Sequence, residues 1–137
     1  MNASDDKKIQ IQQMVLKSQR SLKAARQHLQ DKDFDFTASR AYYAVFYLME
    51  TVLLVKDLSG STHSGIIRLF SEHFIKTNVF PKEFGKLISR LFRERQIGDY
   101  SFGEEISVEV AQEDVRLAED FSQAIVDYLK QKELLSS

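Results

Sequence analysis

A charged arginine, Arg40, stands near the start of an apolar, tyrosine-rich run that continues to Met49. An arginine keeps its charge in proteins, and removing that charge from water without a partner costs free energy. Arg40 is therefore expected to find an anionic partner or to face a functional cleft. The chemistry that this position predicts is the binding of a carboxylate or a phosphate.

A second candidate is His63, which lies in the polar segment Ser61–Gly65 at the predicted start of a helix. Backbone N–H groups and the helix dipole at such a start favour an anion. An imidazole there can donate a hydrogen bond or move a proton near neutral pH. The competing interpretation is a histidine that accompanies the helix cap and has no chemical role.

The third candidate is the segment from Arg93 to Tyr100, at the end of a predicted helix. Arg95 and Asp99 are four residues apart, and Gly98 is expected to break the helix between them. Asp99 and Tyr100 would then lie at a helix end, where side chains can point into a groove. The alternative is an ordinary ion pair that closes the helix terminus.

Four cations of the same predicted helix recur at spacings of three and four residues and define one basic stripe opposite its apolar face. They are Lys82, Lys86, Arg90 and Arg93. A phosphate backbone could lie along this stripe, or the stripe could simply be a solvated helix face. The formal net charge of the chain is −1, so any binding of nucleic acid must be local.

Several classes of site have no support in the sequence. The histidines and carboxylates show no metal-ligand spacing, and the chain has no cysteine. Glycine-rich phosphate loops and a GxSxG elbow are also absent. We therefore predict no metal and no cofactor.

The elements that must position these residues are helices. Ten Phe and five Tyr against five Gly and one Pro provide core material and few turn formers. Apolar positions with the helical period predict an all-α, up-and-down bundle of four to five helices in one domain, residues 6–132, with frayed ends at 1–5 and 133–137. The predicted helices span about residues 6–31, 34–55, 62–78, 81–95 and 107–132. The second helix, apolar nearly all round, should be central.

No apolar segment of the chain is long enough to span a membrane, and the first residues contain no export signal. The predicted location is therefore the cytoplasm, without a membrane partner.

Three sequence motifs occur in a fixed order, namely SRAYYAVF at residues 39–46, STHSG at residues 61–65 and RQIGDY at residues 95–100. Together they resemble the HEPN domain superfamily, and more narrowly its small stand-alone prokaryotic branch. The resemblance covers about residues 6–132. It implies a HEPN-like helical bundle that usually forms a homodimer and is commonly encoded beside a minimal nucleotidyltransferase.

Many members of that superfamily are metal-independent ribonucleases that act as toxins, with a motif of Arg, four to six residues and His. The resemblance matches Arg95 to the arginine, but Tyr100 stands where the histidine is expected. A phenol with a pKa near 10 is a poor base at neutral pH. The motif is therefore degenerate, unless His63 supplies the missing imidazole from the third helix.

Three functions follow from the resemblance. The first is a HEPN protein that acts with a minimal nucleotidyltransferase in a toxin–antitoxin-like pair and binds nucleotide or RNA. Its site residues would be Arg95, Tyr100 and His63 at the degenerate catalytic motif, and Arg40, Tyr43, Lys86, Arg90, Arg93 and Asp99 for binding. The second is an active metal-independent endoribonuclease toxin that uses Arg95 and His63. The third is a structural dimeric module, in which Arg40, Tyr43, Arg95 and Asp99 form a buried polar network.

Overall fold

The computed structural model describes residues 3–103 and 105–136, and the described residues form five α-helices and no strands. The helices are α1 (Ala3–Gln30), α2 (Phe34–Val55), α3 (His63–Phe70), α4 (Glu83–Tyr100) and α5 (Val108–Gln131). A π-helical turn, Ser71–Ile75, extends α3. The predicted all-α bundle is confirmed. No helix among the described residues combines the length and the apolar character needed to cross a bilayer.

Helix α2 lies at the centre of the bundle, as its composition predicts. It packs against α1, α3, α4 and α5, and residues on all its faces are buried. Large side chains such as Tyr42, Leu48 and Met49 are fully buried there. Side chains that α2 directs outward therefore reach the other helices, which makes α2 the element that positions the candidate site.

Helix α1 packs closely on α2 because small hydroxyl residues interrupt its apolar stripe. Ser18 Oγ donates a 2.6 Å hydrogen bond to the Ala44 carbonyl, and Ser21 Oγ donates one of 2.8 Å to the Arg40 carbonyl. Both serines are buried. Both carbonyls belong to α2, so these hydrogen bonds fix the position of α1 along the axis of α2. No large side chain separates the two helices at the serines.

The predicted starts of the third and fifth helices are confirmed. Thr62 Oγ1 accepts a 2.9 Å hydrogen bond from the Gly65 N–H, and Ser107 Oγ accepts one of 3.2 Å from the Val110 N–H. Each hydroxyl satisfies a backbone donor that the helix itself leaves free. The Thr62 cap places His63 at the first position of α3.

The prediction that Gly98 breaks the fourth helix is wrong. Helix α4 continues through Gly98 to Tyr100. A Cβ atom at Gly98 would lie 2.7 Å from the Asp35 carbonyl oxygen, so the glycine allows the end of α4 to touch the start of α2. Close approach of two backbones, rather than a turn, explains this glycine.

Regular structure and packing extend beyond the predicted helix bounds at both described ends of the chain. Helix α1 begins at Ala3, before the predicted start at residue 6. After α5, Leu134 N–H donates a 2.8 Å hydrogen bond to the Leu129 carbonyl, and Leu134 and Leu135 pack against the core. Residues 134 and 135 therefore lie against the apolar core. The fraying expected at residues 1–5 and 133–137 stays a prediction. Residues 1, 2 and 137 of the predicted frayed ends lie outside the described residues.

Candidate functional site

Arg95 is the centre of a polar and aromatic cluster between α2 and α4. Its Nη2 atom donates a 2.8 Å hydrogen bond to the Tyr43 hydroxyl. Its guanidinium carbon lies 5.4 Å from the centre of the Tyr43 ring and 5.6 Å from that of Tyr42. These distances are those of cation–π contacts, which favour a charged guanidinium over an aromatic face.

Asp99 and Tyr100 approach Arg95 from the end of the same helix. Arg95 Nε lies 3.0 Å from Asp99 Oδ2, which makes an ion pair by distance but not a hydrogen bond by geometry, since the buried Nε has no hydrogen-bond acceptor among the described residues. The guanidinium carbon lies 5.5 Å from the centre of the Tyr100 ring. Tyr100 is 67% exposed. The cluster therefore opens to solvent on the Tyr100 side.

His63 joins the cluster from the start of α3. Its Nδ1 atom lies 2.8 Å from the Tyr42 hydroxyl, and its ring stacks on that of Phe46 with the centres 4.2 Å apart. The His63 ring also meets the Tyr43 ring edge to face. We call Arg95, Tyr42, Tyr43, His63, Asp99 and Tyr100 the Arg95 cluster.

The contact between Tyr42 and His63 is compatible with two tautomers of the imidazole, since either the Tyr42 hydroxyl or His63 Nδ1 can donate the hydrogen bond. Burial raises the pKa of the Tyr42 hydroxyl, so the phenol keeps its proton at neutral pH. Burial, and then the positive charge of Arg95, lower the pKa of His63. When the neutral imidazole accepts a hydrogen bond from the Tyr42 hydroxyl at Nδ1, it carries its own proton on Nε2. In this arrangement His63 and Arg95 are both hydrogen-bond donors.

Arg40 lies beside the cluster rather than within it. Its guanidinium carbon is 4.9 Å from the centre of the Tyr43 ring, so Tyr43 contacts both Arg40 and Arg95. None of the ion pairs that the described residues form includes Arg40. Arg40 is half-buried and has no anionic partner among these ion pairs, and the functional cleft expected for it stays a prediction.

The predicted basic stripe on α4 is not continuous. Lys82 and Lys86 are exposed, but Arg90 turns to α5, where its Nε donates a 3.0 Å hydrogen bond to Asp114. Burial raises the pKa of the Asp114 carboxyl to about 6, against the opposing effect of Arg90. Arg93 Nη2 lies 3.6 Å from Glu94 Oε1. Arg90 therefore holds two helices together, and the expectation of a stripe of four parallel solvent-facing cations is wrong.

Most of the predicted site residues converge in the structure. Arg95, Tyr43, Asp99, Tyr100 and His63 share one cluster, whereas Lys86, Arg90 and Arg93 lie elsewhere on α4. Tyr42 was not predicted as a site residue. The available signal was its position four residues before Phe46 in an apolar helix, since a phenol buried there needs a polar partner.

The chemistry available to the Arg95 cluster is the recognition of an anion. A guanidinium and an imidazole N–H are donors, and the exposed Tyr100 ring can contact a flat apolar group such as a base. Asp99 offsets part of the positive charge of Arg95, so a ligand must have both a negative charge and a shape that fits the cluster. The described residues contain no group of three side chains suited to hold a metal ion.

Comparison with known proteins gives a family and several relatives of similar length, among them the following three. "Putative toxin MJ0142" of Methanocaldococcus jannaschii is 31% identical over 128 residues, which is 93% of this chain and 87% of that protein. A "UPF0332 protein" of Thermotoga maritima is 39% identical over 71% of this chain and 74% of its own length. "Putative toxin MJ0605" of M. jannaschii is 28% identical, with coverage of 67% and 69%.

The family match includes every residue of the Arg95 cluster. The sequence profile of the HEPN domain matches residues 11–132, which extend from the first half of α1 to the end of α5. The three motifs that carried the resemblance all lie within this range, and the helices have the order that the resemblance implied. The chain therefore belongs to the HEPN domain family.

Proposed function

We propose that this protein is the toxin-like HEPN member of a pair with a minimal nucleotidyltransferase, and that it binds RNA or nucleotide phosphate at the Arg95 cluster. The observation that carries the proposal is the position of Arg95. Its guanidinium donates a hydrogen bond to the Tyr43 hydroxyl and contacts the rings of Tyr43 and Tyr100, and Tyr100 lies on the solvent-exposed side of the cluster. Asp99, the acidic partner, approaches the guanidinium at its Nε atom.

A phosphate ligand fits the donors of the cluster better than a neutral one. Arginine forms strong charge-assisted hydrogen bonds with phosphate oxygens, and the Nε2 proton of His63 adds a neutral donor nearby. The histidine of the ribonuclease motif is replaced by Tyr100, which favours binding over rapid cleavage. The exposed Tyr100 ring can then stack on a base.

The toxin-like role and the partner rest on relatives and on the family. Two of the relatives carry the word toxin in their names. The family resemblance implies a homodimer and a nucleotidyltransferase encoded nearby. Co-expression with the product of the adjacent reading frame tests the pair: a stable complex in size-exclusion chromatography supports it, and two separate species contradict it.

A second candidate function is a metal-independent endoribonuclease, and the pKa of His63 favours it. Burial and Arg95 lower that pKa, so the imidazole is neutral at pH 7 and able to accept a proton. This function needs the other tautomer, in which Nδ1–H donates to the Tyr42 hydroxyl and Nε2 is free. Nε2 could then accept the proton of a ribose 2′-hydroxyl, with Arg95 stabilising charge on the phosphate.

One experiment separates binding from cleavage. Fluorescent single-stranded RNA is mixed with the purified protein in the presence of a metal chelator, and both polarisation and product length are recorded. We expect Arg95→Ala to weaken binding about tenfold or more, because a charge-assisted hydrogen bond to phosphate is removed. Arg26→Ala is the matched control, since Arg26 forms an exposed ion pair with Glu119 between α1 and α5.

The outcomes distinguish the two functions. Binding without cleavage that depends on Arg95 supports the proposed function. Cleavage that is abolished in both Arg95→Ala and His63→Ala supports the second. If Arg95→Ala binds as tightly as the wild type, the site is not at this cluster and the proposal is wrong.

A further inference from the structure

Cations and tyrosine rings continue from the Arg95 cluster across α2 to the surface of α1. The Tyr43 ring, which Arg95 contacts, lies 5.9 Å from the Tyr47 ring, centre to centre, one helical turn further along α2. Lys17 of α1 places its Nζ atom 4.8 Å from the centre of the Tyr47 ring. A continuous series of tyrosine rings and cationic groups therefore extends from Arg95 on α4 to Lys17 on α1.

A small cavity lies beside Tyr47 at the end of this series. It has a volume of about 200 Å³ and is lined by Lys17, Arg20 and Arg40 together with Ser21, Ala24 and Tyr47. None of these three cations takes part in an ion pair with another residue of the part of the chain that the structure describes. Three cations around one cavity repel each other, so an anion between them would be favoured.

One acidic residue lies near this end of the series. Lys17 lowers the pKa of the Glu50 carboxyl, although burial raises that pKa by more. Glu50 is half-buried in α2, whereas Lys17 and Arg20 are exposed. The carboxylate thus offsets part of the charge of Lys17, and Arg20 and Arg40 keep theirs available.

We propose that Tyr43, Arg40, Tyr47, Lys17 and Arg20 form a track for single-stranded RNA that extends from the Arg95 cluster onto α1. The inference rests on the proposed function, because the Arg95 cluster is taken as one end of the track. Phosphates lie near the cations, and bases stack on the tyrosine rings. The cavity between Arg40 and Lys17 receives a phosphate distant from the one at Arg95.

The alternation of rings and charges favours RNA over an acidic peptide. Carboxylates of a peptide would use the cations and leave the rings without a flat partner, whereas every nucleotide brings both a phosphate and a base. A single strand is also favoured over a duplex, because the bases of a duplex are already stacked and paired.

Two RNA lengths separate the track from the Arg95 cluster. A dinucleotide reaches only the cluster, whereas an oligouridylate of about ten nucleotides, within the usual range of single-strand sites, can also reach α1. We expect the double variant Lys17→Ala with Arg20→Ala to bind the longer RNA about tenfold or more weakly and the dinucleotide unchanged. The slope of log affinity against log salt should become shallower by about 1.4, since each phosphate that a cation neutralises contributes about 0.7 for a single strand.

Matched variants test the charges and the ring separately. Lys76→Ala with Lys130→Ala removes the same charge from exposed positions, after the π-helical turn and near the end of α5, and should leave both affinities unchanged. Tyr47→Ala should weaken only the longer RNA, whereas Tyr47→Phe keeps the ring and the affinity. Circular dichroism of each variant verifies that the helices are intact.

Several results would overturn the track. It is wrong if the longer RNA binds no tighter than the dinucleotide, or if the Lys76 and Lys130 double variant loses affinity and the α1 double variant does not. Equal binding of polyglutamate of the same charge would identify an acidic peptide as the ligand instead. If Arg95→Ala weakens both RNAs and the α1 variant neither, the track is wrong and the proposed function stands alone. If Arg95→Ala weakens neither RNA, the proposed function fails and the track loses its starting point.

Discussion

Arg95 keeps its charge although its side chain is only 12% exposed. The cost of desolvation is offset by the hydrogen bond to Tyr43, by the nearby carboxylate of Asp99 and by the faces of three tyrosine rings. Cation–π contacts of this kind contribute about 0.5 to 2 kcal/mol, depending on burial. Arg95 therefore contributes to stability in addition to the binding role that we propose, and Arg95→Lys, which keeps the charge, is a useful companion to Arg95→Ala.

The electrostatic link between Arg95 and His63 can be measured directly. Burial and the charge of Arg95 both lower the pKa of His63. Removing the positive charge in Arg95→Ala should therefore raise that pKa toward the ordinary value of about 6.5. A titration of the His63 ring protons by NMR gives the value in each protein.

Two features keep this measurement specific. Arg26→Ala removes an equally positive but remote side chain and should leave the His63 titration unchanged. His28 and His73 provide internal references in the same spectra. An unchanged His63 pKa in Arg95→Ala would mean that the two side chains do not share a site, and would contradict the cluster.

The sequence indicated several members of the Arg95 cluster but not the contacts that join them. Arg95, Asp99 and His63 were identifiable because each had an unusual position, in a motif or at a helix end. Arg90 was misplaced because spacing on one helix does not indicate a buried carboxylate on another, here Asp114. Tyr42 was missed because apolar neighbours conceal a hydroxyl whose partner comes from a distant segment.

At the scale of helices, periodicity in the sequence predicted all five elements, since each helix buries one face and α2 buries nearly all of its surface. Gly98 was interpreted as a helix breaker because glycine lowers helix propensity. Tertiary contact overrides that preference, because only a residue without Cβ lets α4 approach the Asp35 carbonyl. Such an approach involves residues far apart in the chain and leaves no local signal.

A substitution at Gly98 tests the close contact between α4 and α2. A methyl group at Gly98 would lie 2.7 Å from the Asp35 carbonyl oxygen, so Gly98→Ala forces α4 away from α2. We expect the free energy of unfolding to fall by about 1 to 3 kcal/mol, the usual cost of overpacking. Chemical denaturation followed by circular dichroism measures it.

Gly85, in the same helix, is the matched control. A Cβ atom there would meet nothing within 4 Å. Gly85→Ala should therefore stabilise the protein, by up to about 1 kcal/mol, through helix propensity alone. Equal effects of the two substitutions would show that propensity, and not packing against α2, determines the role of Gly98.

At the scale of the whole molecule, the net charge of −1 provides no general attraction for RNA. The RNA binding that we propose therefore depends on the local geometry of the Arg95 cluster. The family resemblance implies a homodimer, and a dimer that brought two such clusters together would concentrate positive charge where a single chain cannot. The surface that could join two copies therefore bears on function.

Exposed aromatic side chains near the end of α4 favour such a dimer. Phe102 is fully exposed, Tyr100 is 67% exposed and Phe36 is 60% exposed. The close approach of Gly98 and Asp35 brings the end of α4 to the start of α2, so Phe36 and Tyr100 belong to the same end of the bundle. Apolar groups of this size are frequent anchors of interfaces.

We predict that the protein is a dimer and that the double variant Phe36→Ser with Phe102→Ser weakens the dimer about tenfold or more, because removal of one interface anchor already has an effect of this size. Sedimentation velocity over a range of concentrations measures the dissociation constant. Leu16→Ser, at a residue of α1 that is 52% exposed, removes apolar surface elsewhere and should leave the dimer unchanged. If the double variant and the wild type dimerise equally, the interface lies on another surface, and two Arg95 clusters need not face each other. A parallel loss of dimer and of RNA binding in the double variant, with Arg95 intact, would instead show that the RNA site requires both copies.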